Sequence, residues 1–102
     1  MMTSQQITAA LVEVLTASTR PPALRPLRIL YPLRQIETAT LPDGTVAVTL
    51  FHRYKNRNPQ SVNTAAVHYA LNTLLPRDLR VISVTDHGSS IEIIIGGKPH
   101  EN

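Results

Sequence analysis

The sequence predicts an α+β domain made of two αββ units, and three observations carry that prediction. Two stretches place apolar residues at offsets 0, 4, 7 and 8, the buried face of an amphipathic helix: Ile7, Leu11, Val14 and Leu15, then Val67, Leu71, Leu74 and Leu75. Each stretch is followed by two alternating, β-branched segments joined at an Asp- and Gly-containing turn. At 102 residues the chain holds a single domain with one modest core. The expected architecture is a mainly antiparallel sheet of four to five strands with both helices packed on one face.

The first helix is predicted from Thr3 to about Ser18. Thr3 and Gln6 have capping-box spacing, and Pro21-Pro22 closes the segment. Residues 23–34 then read as four triplets, ALR-PLR-ILY-PLR. Leu24, Leu27, Leu30 and Leu33 recur at every third position, and Arg25, Arg28, Tyr31 and Arg34 follow one place behind. Pro26 and Pro32 argue against a regular helix. A period of three matches polyproline II, with Leu on one edge and Arg on the next. A short strand over residues 28–31 is the competing reading.

A hairpin over residues 36–41 and 45–53 comes next, turning at Pro42-Asp43-Gly44. Val46, Val48 and Leu50 alternate with Ala47, Thr49 and Phe51, so one face is the more apolar. A basic loop follows: His52-Arg53-Tyr54-Lys55-Asn56-Arg57. The second helix opens at Asn58-Pro59 or is capped by Ser61, and Pro76 stops it. A second hairpin, 80–85 and 90–95, turns at Asp86-His87-Gly88-Ser89. Ile82 and Val84 are expected in the core with Ile91, Ile93 and Ile95, and residues 98–102 form a flexible tail. Thr8-Ala9-Ala10 echoes Thr64-Ala65-Ala66, but about one helical turn out of register with the two apolar faces. A duplication and two independent helices on one sheet both fit that pattern.

Composition removes several chemistries. The chain has no Cys, which excludes disulfides, thiolate metal sites and thiol nucleophiles. No apolar run approaches the ~20 residues of a membrane span. The first residues show neither the basic nor the apolar region of a secretory signal, so a cytoplasmic protein without membrane contact is expected. His52, His68, His87 and His100 lack metal-pair spacing. Asp86-His87 is explained by turn hydrogen bonding, and no nucleophile elbow, Walker loop or dinucleotide motif is present. No catalytic residue, metal or cofactor is therefore expected, and the chain reads as non-enzymatic.

Charge is the informative feature. Ten basic residues face seven acidic ones, a formal net charge of +3, and eight of the ten are Arg. Two windows, 14–36 and 44–77, contain no acid and hold eight of the basic residues. Arg53, Lys55 and Arg57 precede a helix N-terminus, where free amides and the dipole favour phosphate. Tyr54, with Phe51 nearby, is placed to stack on a base. Arg25, Arg28 and Arg34 would extend the footprint, because guanidinium matches phosphate in a two-pronged fashion. The expected function is a nucleic-acid-binding module, with DNA and RNA not distinguished.

The same residues also fit solvated faces beside a core-packed Leu edge. The alternative class is therefore a protein-interaction or assembly subunit, such as a small accessory protein of a phage or plasmid. It would bind a protein partner or form a homo-oligomer. Its contacts would be the Leu24/Leu27/Leu30/Leu33 edge and Ile94, which points away from Ile93 and Ile95 and lies beside Val81.

Helix, three strands and helix over residues 3–75 resembles the double-stranded-RNA-binding domain. The segment NRNPQSVNTAAVHYAL is similar to the opening of that family's second helix, with Ala65-Ala66 in place. The family's Lys-Lys-x-x-Lys is replaced by Gln60, Ser61, Val62, Asn63 and Thr64, and the second hairpin has no counterpart. The family's phosphate-bridging role is therefore not carried over to this chain.

Overall fold

The computed structural model describes residues 3–17, 22–31, 35–52 and 62–97. Helix α1 spans Ser4–Ala17. The capping box at its start is reciprocal: Thr3 Oγ1 accepts from the Gln6 amide at 3.1 Å, and Gln6 Oε1 accepts from the Thr3 amide at 2.8 Å. Ile7, Leu11 and Leu15 are buried, and Val14 packs at the margin of the core.

Over the described residues 23–31, the Leu–Arg triplets form neither polyproline II nor a strand; Leu33 and Arg34 lie outside the described residues. A 3₁₀ turn, Pro22–Leu24, runs into a short helix α2, Arg25–Leu30. Pro26 sits in the first turn of α2, where the missing amide would have had no intrahelical partner. The prolines therefore permit a helix that begins at them. Tyr31 caps α2, its amide donating to the Leu27 carbonyl at 3.1 Å. The 3₁₀ turn touches α3 and α2 touches α1, so the insert lies between the two main helices. Leu24, Leu27 and Tyr31 are fully buried there and Arg25 is exposed. Leu24 and Leu27 are thus part of the domain's own core and are not an edge open to a partner. The helix in this position also breaks the helix, three strands, helix order of the double-stranded-RNA-binding domain.

Four strands form one antiparallel sheet in the order β1-β2-β4-β3: β1 Ile36–Thr40, β2 Val46–Phe51, β3 Leu79–Asp86 and β4 Ser90–Gly97. No fifth strand is present among the described residues. Both turns use the expected glycine at positive φ, 88° at Gly44 and 88° at Gly88. In the first, Asp43 Oδ1 accepts from the Thr45 hydroxyl at 2.6 Å and the Thr45 amide at 3.0 Å. These bonds hold the Asp43 carboxyl below its ordinary pKa, the hydroxyl contributing most. In the second, Asp86 Oδ1 accepts from the Gly88 amide at 2.8 Å.

Helix α3, Thr64–Leu74, is capped by neither Asn58 nor Ser61. Asn63 caps it, with Oδ1 accepting from the Ala66 amide at 3.1 Å. Val62 and Val67 flank that cap and both join the core, in the positions of a hydrophobic staple. The buried face is Val67, Ala70, Leu71 and Leu75. Leu74, expected inside, is 40% exposed. The helix ends there, and Leu75 is turned inward by an extended C-cap (φ −70°, ψ 156°) rather than by helical period.

Helix α3 lies against β3, and α1 lies against β1 and β2, both on the sheet face of Val46, Val48, Leu50, Ile91, Ile93 and Ile95. Strand pairing places Val48 opposite Ile93 at the middle of the sheet. Ile7, Leu11 and Leu15 of one half correspond to Val67, Leu71 and Leu75 of the other, and β1-β2 to β3-β4. The halves are two αββ units, and α2 is the insertion in the first.

The register of β3 shifts between Val81 and Ser83. This bulge reverses one expectation: Val81 is buried, whereas Ile82 is 44% exposed. Asn72 of α3 spans the irregularity, its Oδ1 accepting from the Val81 amide at 2.7 Å and its Nδ2 donating to the Val81 carbonyl at 3.4 Å. Ile94 is only partly exposed. No helix among the described residues is long and apolar enough to cross a membrane.

Candidate functional site

The expected nucleic-acid contacts fall into three groups. Arg34, Arg53, Tyr54, Lys55 and Arg57 lie outside the described residues. Arg28 lies within α2, with its side chain outside the description. Arg25, the first residue of α2, is exposed. The residues flanking the basic loop are described, and they fix where it leaves and rejoins the domain.

The loop leaves from His52, one residue beyond β2. Its amide continues the pairing of β2 with β4 by donating to the Ser89 carbonyl at 2.8 Å. The His52 side chain is 6% exposed, the one buried polar or charged residue among those described. Its ring meets Tyr31 edge to face, centroids 5.0 Å apart and planes at 81°. Tyr31 belongs to the first acid-free window and His52 to the second. The fold thus brings the two windows into contact at the end of the sheet that holds the start of β1, the end of β2 and the β3–β4 turn.

The loop rejoins the domain at Val62 and Asn63. Helix α3 is followed directly by β3, and Asn72 in its C-terminal half bonds Val81 near the start of that strand. The α3 N-terminus therefore faces the far end of β3, the same end of the sheet as His52 and Ser89. Helix α3 has no acidic residue, so nothing on it opposes an anion at that terminus.

Two aromatic placements escaped sequence reasoning. Tyr31 stands in the Arg slot of the third triplet, and that break in the pattern was the available sign that this position is buried. Tyr69 on α3 is 78% exposed, inside the second acid-free window. It is a ring open to solvent on a helix without acidic residues.

Comparison of the chain with protein-family models, with curated proteins and with solved structures returns no match. The chemistry must therefore be read from the site itself. Among the described residues, no group of three His, Asp or Glu side chains is close enough to hold a metal ion. His87 Nε2 lies 3.9 Å from Glu92 Oε1, with both side chains substantially exposed. This is a weak surface pair. The open face of the sheet, opposite the helices, carries Glu37 and Glu92 in one row across Thr49. That row repels phosphate and lies close to the sheet end where the acid-free windows meet, since Glu37 is the second residue of β1 and Glu92 reaches His87 of the β3–β4 turn.

Proposed function

We propose that this chain is a non-enzymatic nucleic-acid-binding module that holds a phosphate backbone at the sheet end around Tyr31 and His52. Arg53, Lys55 and Arg57 contact phosphates beside the α3 N-terminus, and Arg25, Arg28 and Arg34 extend the track. Tyr54 and the exposed Tyr69 are the rings available for stacking on bases. The Tyr31–His52 contact carries this reading, because it joins the two segments that hold eight of the ten basic residues and no acid. Titration of labelled single-stranded and duplex DNA and RNA at low and high salt tests it. Binding that falls steeply with salt is expected, and a folded sample that binds none of them at low salt overturns it.

A second reading, contact with a protein partner through the open sheet face, is favoured by one observation. Ile82 is 44% exposed at the bulge, and its Cδ1 lies 3.0 Å from where a Gly96 side chain would begin. Ile82 thus covers a glycine, and partly exposed Ile94 lies beside it on the same face. Replacing Ile82 and Ile94 by Ser would abolish such a contact and leave nucleic-acid affinity unchanged.

A further inference from the structure

The two edges of the sheet are finished differently. On the β3 edge the bulge breaks the ladder between Val81 and Ser83, and Asn72 occupies both main-chain groups of Val81. These devices discourage another strand from adding there. The β1 edge has neither. All five of its residues pair with β2 in unbroken register, four of the five are exposed, and it contains no proline or lysine.

The hydrogen-bonding phase of β1 can be assigned. Leu41 donates to the Thr45 carbonyl at 2.8 Å, so the bonded pairs between β1 and β2 recur at alternate residues, Ala39 with Ala47 and Glu37 with Thr49. The amides and carbonyls of Ile36, Thr38 and Thr40 therefore point outward, away from β2. The other side of β2 agrees, since His52 bonds Ser89 in the phase that commits its even-numbered residues to β4.

We propose that β1 is the pairing edge for a second copy of this chain, through an antiparallel two-fold pairing centred on Thr38. In that register Ile36 faces Thr40 of the second copy and Thr38 faces its own equivalent. All three outward-pointing residues of each strand then find bonded partners at once. Glu37 faces Ala39 of the second copy, so no like charges are directly opposed. Ile36 is half-buried and lies on the helix side of the sheet with Thr38 and Thr40, so the pairing also extends the apolar layer beneath α1. The product is one continuous eight-stranded sheet. This pairing uses neither the basic loop nor Ile94, and so stands apart from the nucleic-acid reading.

Sedimentation of the full chain from low to high micromolar concentration is the test, read beside two variants. Wild type is expected to reach the mass of two chains. Thr38→Pro removes only an outward amide, which an edge strand tolerates, and should weaken self-association by roughly tenfold or more. Should that variant fail to fold by circular dichroism, Thr38→Cys decides instead. The chain has no other thiol, and bonded antiparallel partners lie ~5.5 Å apart between Cα atoms, within disulfide reach. Thr38→Cys is expected to cross-link on mild oxidation, while Glu13→Cys on the exposed side of α1 is not. A single-chain mass at every concentration, a folded Thr38→Pro with unchanged association, or equal cross-linking of the two Cys variants overturns the proposal.

Discussion

The Tyr31 ring stands edge-on to the His52 imidazole, centroids 5.0 Å apart and planes at 81°, and so ties the C-cap of α2 to the end of β2. Tyr31 is fully buried, so deleting its ring leaves a cavity where the insert meets the sheet. Tyr31→Ala should cost about 3–5 kcal/mol in urea unfolding, in line with other buried aromatic truncations. Tyr31→Phe keeps the ring and should cost much less. A loss below about 1 kcal/mol for the Ala variant would mean that this contact does not anchor the insert.

Asn63 should contribute to α3 through its cap alone, since its side chain is exposed and accepts from the Ala66 amide. Asn63→Ala is expected to lower stability by about 1 kcal/mol, while Asn63→Asp retains the acceptor and loses little. Equal losses for the two would place the effect elsewhere than in the cap.

Asn72 joins α3 to the bulge by satisfying the amide and carbonyl of Val81. Asn72→Ala leaves that amide without its partner and should cost about 1–3 kcal/mol. Asn72→Asp preserves the shorter bond, in which Oδ1 accepts from the Val81 amide. Amide exchange at Val81 should therefore accelerate in the Ala variant and stay slow in the Asp variant. Slow exchange in both would show that the bulge holds without Asn72.

Asp43 sets an acid limit on the first hairpin. Its carboxyl pKa is lowered from the ordinary 3.8 by the bonds from Thr45. A lowered folded-state pKa adds stability that is complete above the unfolded value and is lost as pH falls through the folded one. Thermal midpoints should therefore drop less on acidification below about pH 4 in Asp43→Asn than in wild type. Identical acid profiles would show that the Thr45 bonds do not depend on the carboxylate charge.

Much of the fold was readable because local chemistry and tertiary packing agree. Thr3 and Gln6 mark the start of α1, Gly44 and Gly88 supply the turns, and Val46, Val48 and Leu50 mark the more apolar side of β2. The remainder is not readable because the governing rules depend on position in the element. Pro26 excludes a helix only in the interior, and here it opens one. Alternation carried back from Val84 places Ile82 inside, but one bulged residue puts Val81 there instead. The cap at Asn63 is not distinguishable locally, because Asn58-Pro59 and Ser61 carry the same chemistry a few residues earlier. At the candidate site, the clustering of Arg and Lys was visible in the sequence. The meeting of the two windows was not, because it depends on a contact between residues that are distant along the chain.

The direct test of the nucleic-acid reading is the salt dependence of binding, compared between wild type and the Arg53→Ala, Lys55→Ala, Arg57→Ala triple variant. Each lost phosphate contact should make the plot of log affinity against log salt shallower by about 0.7–0.9. Removing three should therefore flatten it by about 2–3 and weaken binding most at low salt. A folded triple variant with unchanged affinity and slope would contradict phosphate binding at this end of the sheet.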